Sequence, residues 1–136
     1  MPTGANFIIC RASAGSGKTY RLVKQYLKLA FSGSEKELAN QFKSILAITF
    51  TNKAANEMKD RVLLYLDEII EQGLRSFMAK DLCDELSVDI NTLQRYAKIV
   101  STSILHNYSD LAICTIDSFS HHIVRTFAHD LGVSPN

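Results

Sequence analysis

Ala12-Ser13-Ala14-Gly15-Ser16-Gly17-Lys18-Thr19, preceded by the apolar run Phe7-Ile8-Ile9-Cys10, is the stretch from which the rest of the chain can be read. Gly15 and Gly17 lack side chains, so the backbone can curl and aim several N–H groups at one anion. The helix that follows turns its positive N-terminal pole to the same point, and a phosphate group fits there. In a strand-loop-helix setting this pattern reads as a nucleotide-binding loop. Lys18 would reach the β- and γ-phosphates and the Thr19 hydroxyl would ligate Mg²⁺. The usual pattern opens with Gly where this chain has Ala12, which a slightly different loop accommodates. Ala12, Ser13, Ala14, Gly15, Ser16, Gly17, Lys18 and Thr19, with Tyr20 next to them, are the candidate nucleotide contacts.

A length of 136 residues suits one domain with its own core. Apolar residues at 46% and charged residues at 21% are ordinary for a soluble globular protein. A formal net charge of +1 gives no global footprint for nucleic acid, so any such contact must be a local patch. Cys10, Cys83 and Cys114 show no paired metal-ligand spacing. Cys10 and Cys114 lie in apolar runs and are expected to be buried thiols, which reads as a reducing, cytoplasmic compartment. The N-terminus has no basic region followed by an apolar one, and no apolar run approaches the roughly 20 residues that cross a bilayer. No signal peptide and no membrane span are expected.

Phe7–Cys10 reads as a first buried strand. A helix is predicted from Lys18 to Phe31, with Leu22, Val23, Tyr26, Leu27 and Ala30 on one stripe and Lys24 and Lys28 off it. Ser34 with Glu37 resembles a capping box. Ile45-Leu46-Ala47-Ile48-Thr49-Phe50 reads as a second buried strand, parallel to the first across a helical crossover. A helix from Asn52 to Gln72 follows at once, stopped by Gly73. Further helices are predicted over 74–86 and, capped by Asp89, over 90–106. Leu111–Ile116 is a third strand. Asp117 or Ser118 is expected to cap a last helix whose core stripe is Phe119, Ile123, Val124, Phe127, Ala128 and Leu131, closed by Gly132 with Pro135 beyond. The fold class is α/β, a partial parallel three-stranded sheet with flanking helices and a helical insertion at about 74–108.

In open α/β sheets, ligands sit beyond the carboxyl ends of the strands. Three such ends should open onto one rim: the phosphate loop, Thr49-Phe50-Thr51-Asn52-Lys53, and Thr115-Ile116-Asp117-Ser118-Phe119. Helix N-termini bearing Ser, Thr, Asn and Lys suit a phosphodiester backbone. A projecting Phe suits base stacking.

The run Ile48-Thr49-Phe50-Thr51-Asn52-Lys53-Ala54-Ala55-Asn56-Glu57-Met58-Lys59-Asp60-Arg61-Val62 closely resembles motif Ia of the UvrD/Rep superfamily 1 DNA helicases. A phosphate loop opening with Ala is a common variant in that family. Thr115-Ile116-Asp117-Ser118-Phe119 resembles motif Ib, with Asp117 where His is usual, so a helix-capping role is expected of Asp117. The long helical stretch between the two motifs looks most like the RecB and AddA helicase-nuclease subunits, of exodeoxyribonuclease V beta type. The resemblance implies a RecA-like fold, with ATP and Mg²⁺ held by the phosphate loop and Lys18 and Thr19 as its catalytic pair. It implies single-stranded DNA as the partner, with Phe50 as a base contact and Thr51, Asn52, Lys53, Ser118 and Phe119 along the strand. A buried strand end is the alternative for Phe50, and a solvated first-turn lysine for Lys53. A second helicase-nuclease subunit is a further implied partner. The implied activity is ATP-driven translocation in DNA recombination and repair.

Other parts of that family's machinery are expected and not found: an acidic pair after a buried strand, an arginine finger and a second motor domain. Asp67-Glu68 and Asp84-Glu85 fall inside helical patterns and read as solvated helix charges. The chain is therefore expected to be an N-terminal fragment, residues 1–136 of a larger motor, that binds nucleotide weakly, hydrolyses it negligibly and associates with itself through open sheet edges. His106, His121, His122 and His129 lack metal-ligand geometry. Two other readings stand beside the helicase: a small P-loop kinase, and a non-catalytic nucleotide-regulated binding module.

Overall fold

The computed structural model describes residues 16–132, and side chains from Lys18 onward. The expected first strand Phe7–Cys10, positions Ala12–Gly15 of the phosphate loop and Pro135 lie outside the described residues. The frame of what is described is a parallel pair of strands. β1 (Leu46–Thr49) and β2 (Ala112–Thr115) lie in register, Leu46 opposite Ala112 and Thr49 opposite Thr115. The sheet therefore has two strands among the described residues, against the three expected. Both strands are shorter than the apolar runs that announce them, because Phe50 and Ile116 leave the ladder as helices begin.

Parallel strands cannot be joined by a tight turn, and here the crossover takes three helices. These are α3 (Asn52–Gln72), α4 (Phe77–Leu86) and α5 (Ile90–His106), when α1 (Ser16–Ala30) and the short α2 (Leu38–Gln41) are counted first. α6 (Ile116–Asp130) follows β2 without a linker. Among the described residues, no helix is long and apolar enough to cross a membrane.

Each crossover helix has a local stop and start. Gly73 ends α3 at φ +57°, and a Cβ there would stand 3.2 Å from the Gln94 amide. That amide donates to the Ile69 and Ile70 carbonyls at 3.2 and 3.1 Å at the end of α3, where Ile69 also accepts from the Gly73 N–H. Ser76 starts α4 by accepting from the Ala79 N–H, and its hydroxyl donates to Glu68 Oε2 at 2.8 Å. Asp89 caps α5 through the Thr92 N–H, and hydrogen bonding with the Thr92 side chain first, with that N–H behind it, holds its carboxyl below the usual range. Ahead of α2, half of the expected capping box forms: Glu37 Oε2 accepts from the Ser34 N–H at 3.2 Å.

The core is helical. Val23, Tyr26, Leu27 and Ala30 of α1 pack with Met58, Val62, Leu66 and Ile69 of α3, Met78 and Leu82 of α4, and Leu93, Ala97, Val100 and Ile104 of α5. The sheet touches this core through one face. Ile113 is buried, with Ala47 paired to it, while Leu46 and Ile48 on the other face are 47% and 44% exposed. The expectation of a second strand buried on both faces is corrected accordingly. Period-two alternation puts Leu46 and Ile48 on the side away from Ile113.

The last helix departs furthest from expectation. Its cap is neither Asp117 nor Ser118 but Thr115, whose hydroxyl accepts from the Ser118 N–H at 3.2 Å. Its apolar stripe forms at helical spacing but is open: Ile123, Val124, Phe127 and Leu131 are exposed, and no residue of α6 is buried.

The Tyr26 hydroxyl is buried with no hydrogen-bond partner among the described residues, and burial pushes its pKa well above the usual value. An unmet buried donor costs about 1–3 kcal/mol, so Tyr26→Phe is expected to leave stability unchanged or raise it by about 1 kcal/mol. Urea denaturation checks this. Leu66→Ala, at the fully buried centre of α3, should in contrast cost about 2–5 kcal/mol.

Candidate nucleotide and nucleic-acid site

The register of the parallel pair decides what meets at its carboxyl end. Thr49 and Thr115 are partners in the ladder, so the two segments that leave the sheet leave it side by side. The Thr49 hydroxyl lies 3.2 Å from the Thr51 carbonyl and 3.4 Å from the Cys114 carbonyl, tying the β1 exit to β2. Each exit opens directly into a helix, α3 at Asn52 and α6 at Ile116. Two helix N-termini, each with a positive pole and orphan amides, thus start from adjoining strand tips.

The two starts are not equivalent. Thr51 caps α3, its hydroxyl oxygen accepting from the Ala54 N–H at 3.0 Å and its O–H left to donate outward. The Asn52 and Lys53 amides belong to the same first turn but are not the ones the Thr51 hydroxyl takes, and both residues are exposed. Phe50 stands just before the cap residue at 92% exposure. A phenyl ring so placed is costly in water and available to an aromatic partner. The alternative of a buried strand end for Phe50 does not hold. Lys53 is solvated, as its alternative reading had it, with its ammonium on the same turn as the open amides.

On α6, the Thr115 hydroxyl donates to Ser118 Oγ at 3.0 Å while accepting from the Ser118 N–H. Ser118 is thereby oriented, exposed and able to donate. Phe119 is half-buried against the fold. Asp117 is exposed in the first turn of α6, where its charge suits the helix pole and opposes an incoming phosphate. Beyond Ser118, an open recess of about 480 Å³ is lined by His121, His122 and Arg125, one turn and two turns further along.

Lys18 and Thr19 sit in the first turn of α1, both half-buried. Ser16 and Gly17 have helical backbone, so the helix begins inside the glycine motif. Tyr20 is held sideways. Its ring meets the Tyr65 ring edge-on at 5.9 Å, and its hydroxyl donates to Asp81 Oδ2 at 2.5 Å. Burial, and after it this bond, push its pKa far above the usual tyrosine value.

The acidic pairs read from sequence divide in their roles. Asp67 and Asp84 are exposed, Glu68 accepts from Ser76, and Glu85 pairs with Lys24 and Lys28 at 3.5 and 3.9 Å. No group of three His, Cys, Asp or Glu residues among the described residues could hold a metal ion. Cys83 and Cys114 are free thiols, partly and not fully buried, and burial raises the Cys83 pKa. Thr115 is the site residue the sequence did not reveal. Its place in a β-branched apolar run hid a hydroxyl that both caps α6 and orients Ser118.

The family model described as UvrD/REP helicase N-terminal domain matches residues 2–136. The chain is 38% identical over 129 residues to the ATP-dependent helicase/nuclease protein AddA of Lactobacillus johnsonii, which covers 94% of this chain and 8% of that protein. It is 31% identical over 133 residues to the protein of the same name from Streptococcus agalactiae, covering 98% and 9%. For Clostridium kluyveri the identity is 30% over 129 residues, covering 95% and 8%. The chain thus spans less than a tenth of the length of the curated relatives it matches. No solved structure matches it. With two capped helix starts side by side at the sheet's carboxyl end and a family match running almost the whole length, the chain belongs to the UvrD/REP helicase family, in its N-terminal domain.

Proposed function

We propose that the chain is the ATP- and DNA-binding opening of a helicase motor, the N-terminal part of a RecA-like domain over residues 1–136 with a helical insertion at about 74–108. In this reading Phe7–Cys10 is a further strand of the parallel sheet and delivers the chain into the phosphate loop. Residues 12–19 cradle the nucleotide phosphates, Lys18 neutralises the β- and γ-phosphates, and Thr19 ligates Mg²⁺. Tyr20 lends the site its backbone, its side chain being committed to Asp81. The observation that carries the reading is the register of Thr49 with Thr115, which sets the Phe50 exit beside the Ser118 exit.

At that rim, a base stacks on Phe50. The phosphodiester backbone takes hydrogen bonds from the Asn52 and Lys53 amides and the Thr51 and Ser118 hydroxyls, with the Lys53 ammonium close by. Phe119 supports the α6 end from inside. None of these groups reads a base edge, so the grip is sequence-tolerant, as movement along a strand requires.

In the whole protein we infer ATP-driven translocation on single-stranded DNA in recombination and repair. Its relatives are named as subunits of an ATP-dependent helicase/nuclease, which supports both an attached nuclease and a second protein in the assembly. A cytoplasmic location fits DNA as the substrate.

Two binding measurements test the reading. Phe50→Ala should weaken single-stranded DNA binding about tenfold, the worth of one stacked base, and leave Mg·ATP binding and the melting temperature unchanged. Lys18→Ala should abolish most Mg·ATP binding and leave DNA binding in place. Nucleotide affinity indifferent to DNA, with phosphate transferred to a small acceptor, would move the chain to the kinase class. The same indifference with no phosphate transferred would leave the non-catalytic, nucleotide-regulated binding module.

The open stripe of α6 and the exposed face of β1 also lead us to expect self-association of the 136-residue chain, since apolar patches of this kind mark contact surfaces. Light scattering at rising concentration should show it, and a persistent monomer would refute it.

A further inference from the structure

Two stripes of side chains face each other between α1 and α4. Tyr20, Lys24 and Lys28 stand four residues apart on α1, and Asp81 and Glu85 stand four apart on α4. Helical geometry puts each set on one line. The contacts interleave: Tyr20 to Asp81, Lys24 to Asp81 at 3.8 Å and to Glu85 at 3.5 Å, and Lys28 to Glu85 at 3.9 Å. The Lys24 ammonium also lies 5.9 Å from the centre of the Tyr20 ring.

The two ends of this zipper do different things. From Val23 onward α1 is held by its own apolar face, since Val23, Tyr26, Leu27, Ala30 and Phe31 are buried. The turn that carries Lys18 and Thr19 lies before that point. Tyr20 pins it to both neighbours, edge-on against Tyr65 of α3 and hydrogen-bonded to a carboxylate of α4. A phenol bound to a charged carboxylate in a partly buried setting is a strong, directional contact. The Lys28–Glu85 pair lies two turns away, where the core already fixes the helix, and a half-exposed ion pair there adds little.

We propose that Asp81 is a positioning residue for the nucleotide end of α1. It acts through Tyr20 to hold the turn bearing Lys18 and Thr19 at the angle the phosphates require. The inference rests on the nucleotide reading above and deepens it. Because α4 belongs to the helical segment between the two strands, a shift of that segment reaches the turn bearing Lys18 and Thr19 through the Tyr20–Asp81 hydrogen bond. Mg·ATP affinity and the placement of α4 are then linked, and each changes the other by the same factor.

The test uses the full chain and three substitutions, Tyr20→Phe, Asp81→Asn and Glu85→Gln, with a fluorescent ATP analogue and Mg²⁺ as the probe. Thermal melting is measured on each. Tyr20→Phe and Asp81→Asn should each weaken nucleotide binding about fivefold, and the double variant should be no worse than either alone. Glu85→Gln should keep the affinity of the unsubstituted chain even where it lowers the melting temperature as much. Without nucleotide, amide exchange at Tyr20, Arg21 and Leu22 should quicken in Asp81→Asn and stay unchanged in Glu85→Gln.

An affinity loss that follows melting temperature across all three variants would overturn the proposal, as would unchanged exchange at Tyr20 in Asp81→Asn. If the unsubstituted chain binds no Mg·ATP, the nucleotide reading fails and this inference falls with it. The exchange measurement separates the two failures, because it needs no ligand.

Discussion

The working end of this molecule depends on the in-register parallel pairing of β1 and β2. Antiparallel strands would send their exits to opposite ends. A parallel pair sends both to the same end, and the zero offset at Thr49 and Thr115 makes them neighbours. Two helices that start there bring two sets of orphan amides and two positive poles to one edge. The side chains at that edge include the Thr51 and Ser118 hydroxyls, the Asn52 amide, the Lys53 ammonium and one largely exposed phenyl ring, Phe50. That chemistry suits the sequence-tolerant hold on a backbone and a stacked base that we propose for it.

The caps make the edge usable. Thr51 and Thr115 each commit oxygen lone pairs to an amide of the first turn, so the helix starts are rigid before any ligand arrives. Both keep a hydroxyl hydrogen, and Thr115 passes its own to Ser118. A hydroxyl that accepts from inside and donates outward is both structure and site. Asp117 shows the opposite case: a carboxylate at a helix start satisfies the dipole and leaves the α3 side better suited to hold phosphate.

Much of this is legible in the residues because local signals are strong. The bounds of α3 and α5 follow directly from Gly73, Asp89 and an unbroken apolar stripe, and motif Ia lies where strand β1 turns into α3. What cannot be read is set by contacts distant in sequence. Asp81 meets Tyr20 across 61 residues, and nothing in either neighbourhood announces it. The α6 stripe reads as apolar, which it is, and as core, which it is not, since periodicity tells which residues share a face and not what lies opposite. For the same reason Leu46 and Ile48, which read as doubly covered, have one side open.

The three-helix crossover has a consequence for the order in which this molecule is made. Thr49 and Cys114 touch across 65 positions of chain, so the sheet is the contact with one of the highest loop-closure costs in the fold. Helices α3 to α5 are closed by near-neighbour contacts and can collapse early, whereas the two strands must wait for that bundle to bring their ends together. The rim is therefore the last feature to assemble. A nascent chain lacks this edge until its hydrophobic interior is in place, so whatever the edge holds meets it already built.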